Sequence, residues 1–289
     1  MRGFITELLK TGRMRHQIDR RPCIQMSTAA SGHLWVSAWD RCARDWAEIQ
    51  EPQMAALYEI ILKALVMPPG TRLLDIGCAA GTFCKLAAEA GVIPTGLDSS
   101  GALLDLARQR TGSDNFVKAN METLPFDDES FDVVTGLNTF YYAISPLNAL
   151  TEARRVLKRR GRLIISNWGD PERCDAAIIF RTLNMFRPFA IYGTHNPYAM
   201  STDRAFRALA AKAGFTKLIE SEAHTSWNYP NENAVLRGLL AHGSAQTAID
   251  HEGELCIREA VRSVIKPFRL AQGSYRIHNF FKYLIAQKY

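Results

Sequence analysis

Between residues 72 and 166 the chain repeats one pattern: a short apolar segment, a turn built on glycine or a polar cap, then an amphipathic helix. Segments 72–76, 92–97, 116–119, 131–137 and 162–166 read as strands, and they are apolar without the alternation that a half-wet sheet would show. Strands of that kind separated by helices predict a mostly parallel sheet covered on both faces, a doubly wound α/β domain. Ser99 or Ser100 can cap the helix that carries Leu103, Leu104 and Ala107. Ser145-Pro146 opens another helix. Its expected end lies at Lys158, Arg159 and Arg160, cations suited to the negative pole of a helix, before Gly161.

The flanks extend this plan. Trp39, Ala43, Trp46 and Gln50 share one helical stripe, and Met54, Leu57, Tyr58, Ile61, Leu62 and Leu65 form a stronger one. Together they predict an N-terminal helical lid over 38–66, stopped by Pro68 and Pro69. Beyond Asp170 the rhythm breaks into an aromatic-rich excursion. A helix over 202–213 follows, with Phe206, Leu209, Ala210 and Ala213 on one face, then a sixth strand over 217–222. Helices at 234–240 and 257–265 precede a last strand, in which Tyr275, Ile277, Phe281 and Tyr283 alternate with Arg276, His278 and Lys282 and predict one wetter face. The expected whole is a seven-stranded sheet in a single domain over 31–289. A helical cap is expected after the fifth strand, with cap segments at 170–215 and 226–272.

Composition narrows the class. With 289 residues, 47% of them hydrophobic and 22% charged, the chain can bury a core unaided, which excludes a disordered chain or a coiled coil. No apolar run approaches the ~20 residues of a membrane span, so a soluble, cytoplasmic protein is expected. Of the net charge of +6, +4 falls in residues 1–30, where Arg2, Lys10, Arg13, Arg15, Arg20 and Arg21 outweigh Glu7 and Asp19. That segment reads as a flexible basic arm ahead of a nearly neutral body, a weak basis for binding nucleic acid. The six cysteines form no CxxC pair, so neither a zinc site nor a disulfide framework is expected, and no metal.

The chemistry is concentrated in Leu73-Leu74-Asp75-Ile76-Gly77-Cys78-Ala79-Ala80-Gly81-Thr82. A strand entering a glycine-bearing turn and then a helix aims backbone N–H groups and the positive helix end at a ligand. Asp98 closes the next strand, where a carboxylate can accept from both hydroxyls of a ribose. A dinucleotide fingerprint would need glycine at positions 77, 79 and 82; Ala79 and Thr82 break it. The spacing Asp75-x-Gly77-x-x-x-Gly81 instead resembles the first motif of class I S-adenosylmethionine-dependent methyltransferases. Gly96-Leu97-Asp98-Ser99-Ser100 is similar to that family's ribose-binding strand end. Asn120-Met121-Glu122-Thr123-Leu124-Pro125-Phe126 with Phe131-Asp132-Val133-Val134 resembles its adenine turn and fourth strand, and Arg155-Val156-Leu157-Lys158 its closing helix-to-strand signature. The likeness covers roughly 39–168, is densest over 72–142, and is nearest to the small-molecule branch that includes ubiquinone and menaquinone biosynthesis enzymes.

The resemblance implies a Rossmann-like methyltransferase fold, S-adenosyl-L-methionine as cofactor, and S-adenosyl-L-homocysteine as its product. It implies roles by position. Gly77, Cys78, Ala79 and Gly81 would form the loop at the methionine part, with Asp75 near its ammonium. Asp98 and Ser99 would hold the ribose. Asn120 would face the adenine amino group, with Met121 N–H toward a ring nitrogen and Glu122 beside them. Asn138 would lie by the sulfonium, and Trp46 and Gln50 would close over the cofactor. Two departures stand out: Ala79 replaces a usual glycine, and Asn120 a usual aspartate.

The acceptor is reached by exclusion. Leu137-Asn138-Thr139-Phe140-Tyr141-Tyr142 lacks the Asn/Asp-Pro-Pro-aromatic motif of enzymes that grip an extruded base. No carboxylate cluster follows the fourth strand to bind magnesium. Aromatic residues remain: Phe140, Tyr141 and Tyr142; Phe180, Phe186 and Tyr192; Trp227 and Tyr229. They suit a small, aromatic or quinone-like metabolite as methyl acceptor, at least half of them serving as core. His195 and Tyr141 are the candidate catalytic groups, needed only if the acceptor arrives protonated. Two other readings stay open: a noncatalytic protein that binds the cofactor, and an RNA methyltransferase that uses the basic arm.

Overall fold

The computed structural model describes residues 28–187 and 203–289. Of the expected arm, 1–27 lie outside those residues, while 28–30 already belong to the first helix. The chain enters through α1 (Thr28–Asp45), a π-helical turn (Trp46–Gln50), a 3-10 turn (Glu51–Met54) and α2 (Ala55–Leu65). Pro52 has no N–H to give to the preceding turn, so the helical ladder changes its bonding pattern there. The two predicted stripes are therefore one helical run with an irregular middle.

The layered body follows: β1 (Arg72–Ile76), α3 (Thr82–Glu89), β2 (Ile93–Asp98), α4 (Gly101–Thr111), β3 (Phe116–Lys118), β4 (Phe131–Leu137), α5 (Pro146–Val156) and β5 (Leu157–Trp168). Next come α6 (Ala176–Met185), α7 (Asp203–Lys212), β6 (Thr216–Tyr229), α8 (Glu232–Leu240), α9 (Gly243–Glu252), α10 (Glu254–Ile265) and β7 (Tyr275–Gln287). The seven strands form one sheet in the order β3-β2-β1-β4-β5-β7-β6. The first five are parallel; β7 runs antiparallel to both β5 and β6. This is the Rossmann-like, mostly parallel sheet that the alternation predicts.

Successive strand residues point to opposite faces, so the sheet builds two cores. Leu73, Val133 and Ile164 face one core with α2, α6 and α8–α10; Leu74, Val134 and Leu163 face the other with α5 and α7. The chain reverses its order along the sheet between β1 and β4, and at such a switch point the strand ends leave a crevice.

Three expectations need correction. The helix after Ser145 stops at Val156, not at Arg160, because 157–161 are drawn into the sheet. Leu157 pairs with Phe131, Lys158 Nζ lies 2.7 Å from Asp132 Oδ1, and Arg160 N–H donates to the Lys288 carbonyl at 2.9 Å. The last strand alternates only through His278; from Asn279 it is largely buried on both faces, because Phe281 and Tyr283 meet one core while Leu284 and Ala286 meet the other. The helix expected inside the first cap segment, α7, is a layer helix whose Phe206, Ala210 and Ala213 pack with Ala149, Leu150 and Ala153 of α5. The carboxyl end of the sheet is reached instead by α1, through Trp35, Val36 and Trp39, and by His242 between α8 and α9, helices inserted between β6 and β7.

Candidate functional site

The crevice at the carboxyl ends of β1, β2 and β4 opens into a cavity of about 520 Å³. That is within the ~300–1,000 Å³ range of small-ligand sites. One end is polar and lies on the β1 and β2 loops; the other runs under the helical run and is aromatic.

At the polar end, Gly77 has φ +72, and a Cβ there would overlap the Thr139 side chain from the loop after β4. Only glycine meets both demands. Ala79 adopts φ +48, so the residue that replaces a glycine holds a left-handed conformation, which costs about 1 to 2 kcal/mol for an L side chain. Its N–H donates to Asp98 Oδ2 at 3.0 Å, while Asp98 Oδ1 accepts from Ser100 N–H at 2.9 Å. Burial pushes the Asp98 carboxyl up, and these backbone donors pull part of that back. Gly77, Ala79, Asp98 and Ser99 all line the cavity. So do Asn120, Met121 and Glu122 from the turn after β3, and Asn138 after β4.

Details of these side chains depart from expectation. Asn120 Oδ1 accepts from Glu122 N–H at 2.9 Å, so its carbonyl already holds the local turn. The Glu122 carboxylate accepts from Ile144 N–H at 2.7 Å and Ser145 N–H at 3.1 Å, tying that turn to the start of α5. Asn138 sits at φ +55; its Nδ2 is buried with no hydrogen-bond partner among the described residues.

Four of the expected cofactor residues do not line the cavity. Asp75 is buried beneath the loop, its Oδ1 accepting from Thr135 Oγ1 at 2.6 Å, and desolvation raises its carboxyl to about 7. Cys78 faces inward onto Cys84, Leu104, Ala107 and Phe116, a small filler. Gly81 packs on Ala107 of α4. Gln50 is fully buried, with Oε1 accepting from Tyr229 Oη at 2.7 Å on the far side of the lid. His195 lies outside the described residues.

The irregular lid is pinned to the loop by groups the sequence reading did not single out. Arg110 of α4 donates to Glu51, to Thr82 Oγ1 (2.6 Å), and to the carbonyls of Ala80 and Ala47 (2.6 Å each). Glu51 is fully buried; burial raises its carboxyl and Arg110 opposes that rise. Asp40 of α1 accepts from Ser100 Oγ at 2.5 Å and from Ala102 N–H at 3.2 Å, at the start of α4. No local pattern marks these pairs, since their partners lie between 28 and 63 residues apart.

The aromatic end holds an unusual concentration. All five tryptophans of the chain line this one cavity: Trp35, Trp39, Trp46, Trp168 and Trp227. Tyr141 and Tyr142 join them, ring centres 4.5 Å apart, while Phe140, Phe180 and Tyr229 are core. Burial raises the Tyr141 hydroxyl to about 12, so it is neutral and can donate a hydrogen bond. His242, between α8 and α9, sits among Trp46 (ring centres 5.1 Å), Phe180 (5.2 Å) and Trp227 (6.0 Å). Desolvation lowers its imidazole to about 3, and its Nε2 has no hydrogen-bond partner among the described residues. The same is true of the indole nitrogens of Trp46 and Trp227. Trp35 continues the predicted stripe one turn earlier and was discoverable; a lone histidine between two helices was not.

Residues 74–165 match the family model for a methyltransferase domain. Among curated relatives, the demethylmenaquinone methyltransferase of Clavibacter sepedonicus is 35% identical over 38% of this chain and 46% of its own length. An uncharacterized 37.1 kDa protein of Streptomyces fradiae is 33% identical over 54% of this chain and likewise 46% of its own. The chain thus spans about half the length of these relatives. The malonyl-[acyl-carrier protein] O-methyltransferase of Methylococcus capsulatus is 27% identical over 86% of both chains. Among solved structures, a Bacillus halodurans protein assigned as a methyltransferase superposes with a TM-score of 0.55, 18% identity, and coverage of 80% of this chain and 98% of that one. The [4+2]-cyclase SpnF superposes at 0.51, with 19% identity over 80% of this chain and 79% of its own, so the fold alone does not name a reaction.

Proposed function

Because its core, residues 74–165, belongs to the class I S-adenosylmethionine-dependent methyltransferases, we propose that this protein methylates a small, largely apolar, aromatic or quinone-like acceptor. The observation that carries the reading is the continuity of one cavity from the Asp98 carboxylate to the tryptophan-lined end.

The polar end fits the cofactor chemically. A carboxylate that rests on backbone donors suits a pair of ribose hydroxyls, so Asp98 and Ser99 hold the sugar. Gly77 and Ala79 bring the loop backbone to the methionine part, with Asn138 and its unpartnered Nδ2 alongside. Asn120 and Met121 border the base, and Trp46 covers it from the lid. When bound, the cofactor supplies an electrophilic methyl group on a sulfonium. The chain's remaining tasks are to align a nucleophile about 3 to 3.5 Å from that carbon and to exclude water. The aromatic end, roofed by the helical run and α8–α9, suits both. Relatives named for demethylmenaquinone and for a malonyl carrier protein act on unlike acceptors; flat indole walls favour the ring over the acyl chain.

Isothermal titration of the full chain with S-adenosyl-L-homocysteine is expected to give one site. Asp98→Ala is expected to weaken it by about 1.5 to 3 kcal/mol, the usual scale for hydrogen bonds to a charged group. No binding by the wild type overturns the reading; an unchanged affinity in the variant removes Asp98 from the ribose.

A further inference from the structure

The turn after β3 and the wall of the aromatic end are joined by one carboxylate. Residues 120–123 close on themselves: Glu122 N–H donates to Asn120 Oδ1 at 2.9 Å, and Thr123 N–H to the Asn120 carbonyl at 3.1 Å. Leu124, just beyond, is fixed to α5. Its N–H donates to Glu152 Oε2 at 2.8 Å, and its carbonyl accepts from Arg155 Nη2 at 2.9 Å. The Glu122 carboxylate then reaches the other end of the same helix, one oxygen accepting from Ile144 N–H and the other from Ser145 N–H. A negative charge at that place also suits the positive pole of α5.

These two N–H groups have no other partner among the described residues. Ile144 is half exposed, so its side chain adds little hold. The 3-10 turn before it, Phe140–Tyr142, bonds only locally, through Tyr142 N–H to the Thr139 carbonyl and Ala143 N–H to the Phe140 carbonyl. Yet Tyr141, Tyr142, Ala143 and Ile144 line the cavity, and Tyr142 stands edge-on to Trp35 and Trp39 of α1, with ring centres 5.4 and 5.9 Å away. Backbone bonds that face solvent, as the one from Ile144 does, open locally at small cost. The wall thus has two arrangements, docked on Glu122 or released from it.

We propose that Glu122 is a positioning residue that makes the acceptor wall depend on the cofactor. This rests on the methyltransferase reading above, in which Asn120 and Met121 border the base, and adds how the two ends of the cavity communicate. A base seated on those residues touches the turn in its closed form and biases it toward that form. The closed turn aims the carboxylate at Ile144 and Ser145, and the wall docks. By linkage, the docked wall tightens the hold on the base. A nucleophile therefore meets a formed wall only when the methyl donor is in place.

The test is amide hydrogen exchange of the full chain, followed by mass spectrometry, with and without saturating S-adenosyl-L-homocysteine. In the wild type the ligand is expected to slow exchange across residues 141–145 by about tenfold, within the usual range of coupling between sites. The ligand-dependent difference is expected to vanish in Glu122→Ala and to persist in part in Glu122→Gln, whose one carbonyl oxygen can still hold one N–H. A merely structural role would alter exchange without ligand and leave that difference in place. Protection of residues 77–81 in the same runs shows that the ligand is bound, and thermal melting shows that each variant is folded. If Glu122→Ala does not fold, Glu122→Gln decides, and an undiminished difference there overturns the proposal. Protection at 77–81 without protection at 141–145, or a difference that survives Glu122→Ala, overturns it too. Failure of the wild type to bind the ligand overturns the cofactor reading, and this proposal with it.

Discussion

Asp75 shows how a conspicuous residue can work below the surface rather than at the ligand. It is buried under the loop, bonded to Thr135 Oγ1, with Cys84 Sγ 3.8 Å from its other oxygen. Desolvation raises its carboxyl to about 7, whereas in the unfolded chain it titrates near the usual ~3.9. The folded state therefore binds this proton more tightly than the unfolded state. Its contribution to stability is complete below about pH 4 and is lost as pH rises through 7. Asp75→Asn removes the titration: relative to wild type, the variant is expected to gain stability between pH 4 and 7 by about 1.4 kcal/mol for each pH unit crossed. Urea denaturation of both proteins at pH 5 and pH 8 measures it, and a difference independent of pH refutes the assignment.

The lid is an element whose shape and anchorage have separate causes. Its shape comes from Pro52, which breaks the ladder and leaves a π turn before a 3-10 turn. Its anchorage comes from Arg110, which joins Glu51 and the Ala47 carbonyl to the loop at Ala80 and Thr82. Removing one partner of a buried ion pair leaves an uncompensated charge, at about 3 kcal/mol or more. Arg110→Met is expected to lower unfolding stability by about that amount and to weaken cofactor-product binding, since the loop and lid lose their common tie. The double change with Glu51→Gln is expected to recover part of the stability. Chemical denaturation of the four proteins gives the coupling, and simple additivity would show that the two side chains do not act as a unit.

At the scale of the molecule, the sheet's switch point and the helical roof confine every tryptophan to one cavity. Tryptophan emission, excited selectively over tyrosine, is therefore a report on that cavity alone. Saturation with S-adenosyl-L-homocysteine is expected to shift or quench the emission with the same midpoint that calorimetry gives. Calorimetric binding with unchanged emission would place the ligand elsewhere.

The parallel sheet, the loop after β1, Asp98 and the turn at Asn120 were legible in the residue pattern, because each rests on local periodicity or on a short motif at a strand end. The helix end at Val156 was not. The cations at 158–160 suit a helix terminus locally, but pairing with β4 and with Lys288 outweighs that preference. Gln50, Cys78 and Gly81 fall in or beside the right motifs and turn inward, since a motif marks the backbone path and not which side chains meet the crevice. Trp227 stood among the aromatic candidates, but His242 and Trp168 lie far apart in the chain and no local pattern joins them. Near-neighbour rules determined the polar end of the cavity. Its aromatic end was decided by long-range packing, because only the folded chain brings those rings together and buries the histidine between them.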